Sequence, residues 1–283
     1  MLPLTETMPA PAAAEIPIVT SLAELAPRYD VLLCDVWGVL HDGIVGFQAA
    51  RNALARFQAG GGTVVLVSNA PRPGGVVAGQ LESLQVAAFD AIVTSGDLTR
   101  SVVIERRDQS LFHLGPDRDL PIYEGGPAKF GSVDTADYVV CTGLLNDETE
   151  TPEDYLPLLR RMRERDLWML CANPDLVVER GDRLIYCAGA LAAAYEELGG
   201  RTYYPGKPHR PIYDEALAVA ARLRGAVPEP RRVLAIGDAI RTDVAGGRGA
   251  GLDVLMIVRG IHAAELGYEG GQLDAARIRN WLA

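Results

Sequence analysis

The chain has 283 residues, 48% apolar and 23% charged, which excludes a wholly disordered chain and allows one large hydrophobic core or two moderate ones. Its formal net charge of −10 gives no general attraction to nucleic-acid phosphates or anionic lipid, although a metal and a few local donors can still hold a small anion. No apolar run is long enough to span a bilayer, and no basic region followed by an apolar block opens the sequence. Cys34, Cys141, Cys171 and Cys187 lack paired spacing, so free buried thiols and a cytoplasmic protein are expected.

Residues 1–19 are rich in Ala and Pro without a sustained period and are expected to form a loose arm. Ser21 and Glu24 have capping-box spacing, for a short helix ending before Pro27. The run Val31, Leu32, Leu33 reads as a buried parallel strand, and the polar residue and glycine after it place Asp35 at the strand's carboxyl end. In open α/β sheets ligands bind in the crevice beyond such ends. Phe47, Ala50, Leu54 and Phe57 recur at helical spacing until Gly60, and residues 63–67 form a second buried strand closed by Ser68 and Asn69. A strand, helix, strand unit of this length implies a right-handed parallel crossover. Val77, Leu81 and Leu84 mark another helix, and a third strand over 91–93 ends in Thr94, Ser95 and Gly96.

From about residue 101 to 187 the pattern repeats on a smaller scale, with strands at 111–114, 138–141 and 167–171. A helix over 152–165 starts on a Thr151 cap, a first-turn proline and the acids Glu153 and Asp154. Asn173, Pro174 and Asp175 follow the last of these strands. An Ala-rich helix then runs to Leu198, and Tyr203, Tyr204, Pro205, Gly206, Lys207 and Pro208 hold the lysine by backbone stiffness. A helix over 212–223 leads to a strand at 233–236 that closes in Gly237 and Asp238, with Asp243 five residues further and a last strand at 254–258. The expected fold class is α/β, a Rossmann-like parallel-sheet core over 20–100 and 188–283 with a separate small α/β layer over 101–187.

Singly, these polar residues have ordinary structural uses: Ser68 and Asn69 form turns, Lys207 is a surface charge, Asp238 caps a helix and Asp243 is an exposed helix acid. Together they place Asp, Ser with Asn, and Asp at the ends of parallel strands, which share one crevice. With four motifs in order (Asp35 to Leu40, Ser68 with Asn69, Lys207, and Gly237, Asp238 with Thr242, Asp243), residues 28–262 resemble the haloacid-dehalogenase-like (HAD) hydrolases. The resemblance is to their class IIA phosphatases, whose large α/β cap lies between the second and third motifs. Asn173, Pro174, Asp175, Gly189, Ala190 and the Tyr204 to Pro208 run also look like that class.

The resemblance implies that Asp35 is a nucleophile forming an aspartyl-phosphate, and that Mg2+ is held by Asp35, the Trp37 backbone carbonyl and Asp238, with Asp243 acting through water. It further implies that Ser68, Asn69 and Lys207 bind phosphoryl oxygens, while Asn173 and Asp175 of the cap contact the substrate. One position departs: most phosphatases of the superfamily carry an acid/base Asp two residues after the nucleophile, and here that residue is Trp37. His41 or Asp42 either supplies the proton instead or only shapes the flap. The expected function is a magnesium-dependent phosphatase of a small phosphorylated metabolite such as a sugar phosphate. The alternative is a catalytically weakened domain that binds a phosphorylated ligand or a partner for regulation. The expected partner is that small metabolite, with no nucleic acid and no membrane, and self-assembly is left open.

Overall fold

The computed structural model describes residues 16–181, 183–263, 265–267, 274 and 276–278; residues 1–15 of the expected arm lie outside them. Ser21 and Glu24 form the expected capping box, on a single 3-10 turn, Leu22–Glu24. That turn ends before Pro27, as expected, and Pro27 is the second residue of a further 3-10 turn, Ala26–Arg28, where its missing N–H and fixed φ cost nothing. The chain continues through β1 (Val31–Cys34), α1 (Gln48–Ala59), β2 (Thr63–Ser68), α2 (Gly74–Ser83), β3 (Ala91–Thr94) and α3 (Ser95–Glu105). Next come β4 (Ser110–Leu114), β5 (Lys129–Phe130), β6 (Tyr138–Cys141), α4 (Leu156–Glu164) and β7 (Trp168–Cys171). The hairpin of β8 (Val177–Arg180) and β9 (Arg183–Tyr186) leads to α5 (Ala188–Glu197), β10 (Arg201–Tyr203) and α6 (Arg210–Arg224). The last elements are β11 (Val233–Gly237), a π turn (Ile240–Val244), α7 (Ala245–Gly249) and β12 (Asp253–Met256).

The first sheet is parallel, in the order β12-β11-β1-β2-β3. Its central strands are apolar on both faces because helices cover both. Leu32, Cys34, Val64, Leu66, Leu234 and Ile236 face Leu54 and Phe57 of α1 and Val77 and Leu81 of α2. The alternate residues Val31, Leu33, Val65, Val67, Val233 and Ala235 face Ile212, Tyr213, Ala216 and Ala220 of α6. Each such fully buried aliphatic side chain contributes roughly 1.5–3 kcal/mol, so this two-sided packing fixes the strand register. Strand order reverses between β1 and β11, and Asp35 and Asp238 follow directly on those two strands at the switch.

The second sheet, in the order β10-β7-β6-β4-β5, is also parallel. It extends past the boundary expected at residue 187: β10 pairs with β7 in the register Arg201↔Trp168, and Ala188, Leu191, Ala192 and Tyr195 of α5 pack against Val139, Met169 and Cys171. The sequence concealed this because β10 is a short, mostly exposed edge strand without an apolar run. At the other end α3 bridges both layers, starting at the tip of β3 and packing Val103 against Leu111 and Tyr138. The helix expected at 152–165 begins as a 3-10 turn, Pro152–Tyr155, capped by Thr151 and Asp154, and becomes α4 at Leu156. All four cysteines are free and buried, as expected.

Candidate active site

β1 delivers Asp35 into the switch crevice, where its amide donates to the Ile236 carbonyl at 2.8 Å and so holds the residue against β11. Lys207, placed in the loop between β10 and α6, reaches the same point. Its Nζ lies 2.5 Å from Asp35 Oδ1 and 2.7 Å from Asp243 Oδ1, and all three residues are buried. Asn69 fixes that loop from the end of β2, for its Oδ1 accepts the Lys207 amide at 2.7 Å and its Nδ2 donates to the Lys207 carbonyl at 3.1 Å. The same Nδ2 donates to Asp175 Oδ1 at 2.9 Å, so Asn69 also ties the second layer to the core. Ser68 is buried beside it, and its Oγ accepts the Ala70 amide at 3.1 Å.

Two glycines let backbone close over Asp238: a Cβ built at Gly38 or at Gly260 would stand 2.0 Å from Asp238 Oδ2. That oxygen accepts the Ile261 amide at 2.9 Å. Asp243 has both oxygens engaged, Oδ1 by Lys207 and Oδ2 by the Ala239 amide at 3.2 Å. Asp35 Oδ2 and Asp238 Oδ1 take no hydrogen bond among the described residues. The carboxylates of Asp35, Asp238 and Asp243 lie within 4.8 Å of one another, a group able to hold a metal ion. With Lys207 the cluster carries three negative charges and one positive, which suits a divalent cation with oxygen ligands.

The protonation equilibria agree with that deficit of positive charge. Burial and then the Asp243 carboxylate raise Asp35 well above its ordinary range, and burial with Asp243 pushes Asp238 up to about 7, against the amide of Ile261. Burial opposes the charge on Lys207, but Asp243 and Asp35 outweigh it and keep the ammonium protonated. A cation beside the carboxylates would reverse the first two shifts.

The crevice opens into a cleft of about 320 Å³ lined by both layers. Asp35, Trp37, Ser68, Asn69, Asn173, Asp175, Lys207, Asp238 and Asp243 all line it, so the residues singled out from the sequence converge. Asn173 Oδ1 accepts the Asp175 amide at 3.0 Å and shapes the turn that presents Asp175. The flap residues behave differently from an acid pair. His41 is buried outside the cleft lining, its Nδ1 accepts the Gly43 amide, and burial lowers its pKa. Burial raises the Asp42 carboxyl, yet the amides of Val45 and Ile44 overcome this and hold it below its ordinary range. His41 is thus turned into the flap, whereas Asp42 gives Oδ1 to the flap amides and lines the cleft.

Trp37 has a role that spacing did not reveal. Its Nε1 donates to the Glu179 carbonyl at 2.5 Å, bridging the loop after β1 to the β8–β9 hairpin, and its ring meets His41 edge-on at 5.0 Å. The hairpin itself was not read from the sequence. Its signal was present, since Gly181 and Asp182 separate two short apolar segments as a two-residue turn does. The arginines and acids of the cleft wall, Arg72, Arg118, Asp119, Asp147 and Arg180, also lay outside any recognisable spacing.

The fold matches known proteins. A crystal structure described as a hydrolase of the haloacid dehalogenase-like family from Brucella suis 1330 is 49% identical, covers 93% of this chain and 97% of its own, and superposes with a TM-score of 0.85. The chain belongs to the haloacid dehalogenase-like hydrolases. Family models described as haloacid dehalogenase-like hydrolase and HAD-hydrolase-like match residues 32–125 and 204–276 of this HAD-like hydrolase. The ribonucleotide monophosphatase NagD of Escherichia coli K12 is 24% identical over 237 residues, covering 83% of this chain and 89% of its own. The glycerol phosphate phosphatase of Mycobacterium tuberculosis, solved in complex with calcium, shares the fold with a TM-score of 0.64, at 21% identity over 86% of this chain and 70% of its own.

Proposed function

We propose that this HAD-like hydrolase is a magnesium-dependent phosphatase of a small phosphorylated metabolite, such as a sugar phosphate, acting through an aspartyl-phosphate on Asp35. The observation that carries the reading is Asp35 held by Lys207 at the switch crevice, with Asp238 and Asp243 beside it and the cleft above. The phosphatase activities of NagD and of the calcium-bound glycerol phosphate phosphatase support it.

An Asp35 carboxylate oxygen attacks phosphorus, the bond from phosphorus to the ester oxygen breaks, and the departing oxygen takes a proton from water in the cleft. Water then attacks the aspartyl-phosphate, releasing inorganic phosphate and restoring Asp35. Ser68, the Asn69 amide and Lys207 bind the phosphoryl oxygens on which charge grows. Asp35 Oδ2 and Asp238 Oδ1, the oxygens left open, would hold the cation with the Trp37 carbonyl, and the fully engaged Asp243 would act through water. When bound, the cation neutralises the phosphoryl group and the attacking carboxylate. Asn173 and Asp175, which line the cleft, would contact the non-reacting part of the substrate.

The test is a screen of phosphorylated metabolites after chelation, with and without added magnesium. Release of phosphate only in its presence is expected, and none from any ester would reject the reading. Trp37 favours a second reading, a binding domain that holds a phosphorylated ligand or partner, because an indole N–H committed to Glu179 can neither give nor accept the catalytic proton. That reading predicts saturable binding without turnover.

A further inference from the structure

The loop after β1 lacks a carboxyl to protonate the leaving oxygen and later to take a proton from the attacking water, because Trp37 stands there with an indole that only donates. Among the described residues no histidine lines the cleft, which leaves its acids as the groups suited to that work. Asp35, Asp238 and Asp243 serve the nucleophile and the cation, so the remaining acids are Asp42, Asp119, Asp147, Asp175 and Glu179. The flap amides keep Asp42 ionised. Asp147 Oδ2 holds Arg118 at 2.6 Å and Arg180 at 3.1 Å. Asp119 lies 3.7 Å from Arg72 Nε, and the chief charges acting on it are Arg72, Arg118 and Asp147, none of them in the Asp35 cluster. Glu179 meets Trp37 through its main-chain carbonyl, and among the described residues no hydrogen bond or ion pair ties its carboxyl to that cluster.

Asp175 is placed differently. Its Oδ1 accepts the Asn69 Nδ2 at 2.9 Å, and the same Nδ2 donates to the carbonyl of Lys207, whose ammonium binds the nucleophile. Asp175 therefore hangs from the residue next to Ser68, beside the phosphoryl-binding groups. Its Oδ2 takes no hydrogen bond among the described residues, and the residue lines the cleft. The titratable groups facing it are Lys207, Asp238 and Asp243 of the core and the thiols of Cys171 and Cys187. Burial pushes both thiols up, so they stay neutral. Burial also raises the Asp175 carboxyl to about 6, against Lys207 and Asn69, which makes its acid and base forms both accessible near neutral pH.

We propose that Asp175 performs the proton transfer that Trp37 cannot, acting through one water of the cleft as general acid and then as general base. This rests on the phosphatase reading and gives the leaving-group proton its source. In the first step the bond from Asp35 to phosphorus forms and the bond to the ester oxygen breaks. A proton passes from Asp175 through the water to that oxygen, leaving an alcohol and the Asp175 carboxylate. In the second step water attacks the aspartyl-phosphate, the bond from phosphorus to Asp35 breaks, and the proton of the attacking water returns to Asp175.

The test compares two esters at saturating magnesium: glycerol 3-phosphate, whose alkoxide leaves only with a proton, and 4-nitrophenyl phosphate, whose phenolate leaves without one. Asp175→Asn keeps an acceptor for Asn69. It should lose about 10²- to 10⁴-fold in kcat/KM for the first ester and less than about threefold for the second. With the aryl ester its kcat should still fall, after a burst of nitrophenolate, because water then meets the aspartyl-phosphate without a base. In the native protein kcat/KM for glycerol 3-phosphate should fall as pH rises through the ionisation of Asp175, since the acid form is the active one, and the aryl ester should lack this limb. The pH comparison needs no variant and decides the matter if melting curves show that Asp175→Asn does not fold. Equal loss on both esters, the same limb with both, or a loss confined to glycerol 3-phosphate in Asp119→Asn or Glu179→Gln but not in Asp175→Asn would overturn the inference and leave the phosphatase reading standing. No hydrolysis of either ester by the native protein would overturn both.

Discussion

The floor and the roof of the cleft are built in opposite ways. On the floor, Asp35, Lys207 and Asp243 are buried, joined by ion pairs of 2.5 and 2.7 Å, and seated at the ends of a sheet whose two faces are both covered by helices. On the roof, Arg118 and Arg180 have half- or partly exposed side chains borne by a 3-10 segment and a hairpin whose strand β8 is only partly buried. Groups that share charge in a low dielectric must be placed rigidly, because each small displacement leaves a charge uncompensated. The side chains that cross the gap between layers include Trp37 by its bond to Glu179, Asn69 by its bond to Asp175 and Arg72 by its ion pair with Asp119.

The sharpest way to break the contrast is at the floor. Asp35→Asn should lower kcat by about 10⁴-fold or more, on the scale of a lost nucleophile. Its melting temperature in chelator should be unchanged or higher, because one of three crowded acids has been neutralised. Asp238→Ala should shift magnesium activation to higher concentration by more than about tenfold, since even partners that merely orient a metal ligand commonly cost 10- to 100-fold. A magnesium titration at fixed substrate reads this directly.

Asp175 sharpens the comparison from the boundary between layers. Burial raises its carboxyl to about 6, although Lys207 and Asn69 pull the other way. Its folded pKa therefore lies above its unfolded value. Below about pH 4 both states are protonated and nothing is lost; between pH 4 and 6 the unfolded chain ionises first, stability falls, and the deficit persists above pH 6. At 1.36 kcal/mol per unit the cost approaches about 3 kcal/mol in metal-free protein. Asp175→Asn keeps an acceptor for Asn69 and should flatten this part of the pH-stability curve, measured by urea unfolding in chelator. The smallest effect belongs to the roof: Trp37→Phe loses one neutral hydrogen bond, worth about 1 kcal/mol, so kcat/KM for the preferred substrate should fall by several-fold with little change in melting. An unchanged kcat/KM would mean that the tie to Glu179 does not position the hairpin.

The floor was legible in the sequence and the roof was not. Buried parallel strands are continuous apolar runs, and the polar residues that close them, Asp35, Ser68 with Asn69, and Asp238, are conspicuous against that background. Lys207 was legible through the prolines and glycine around it. The roof carries no such contrast. Arg118 lies in an irregular segment, β10 is an exposed edge, and the β8–β9 hairpin alternates weakly, so its arginines look like solvated surface charges until the chain is folded. Trp37 shows the limit most clearly. Spacing identified it as the place of a missing acid, while its bond to a carbonyl 142 residues away is a property of tertiary structure alone.

The central claim is that Asp35 becomes covalently phosphorylated, and acid quenching during turnover tests it most directly. Protein quenched in the presence of magnesium and a hydrolysed ester, digested and examined by mass spectrometry, should carry one phosphoryl group on the peptide containing Asp35, lost on exposure to hydroxylamine. The Asp35→Asn protein should carry none. Turnover of the ester with no phosphorylated Asp35 peptide under these conditions, or the same label in Asp35→Asn, would contradict the account.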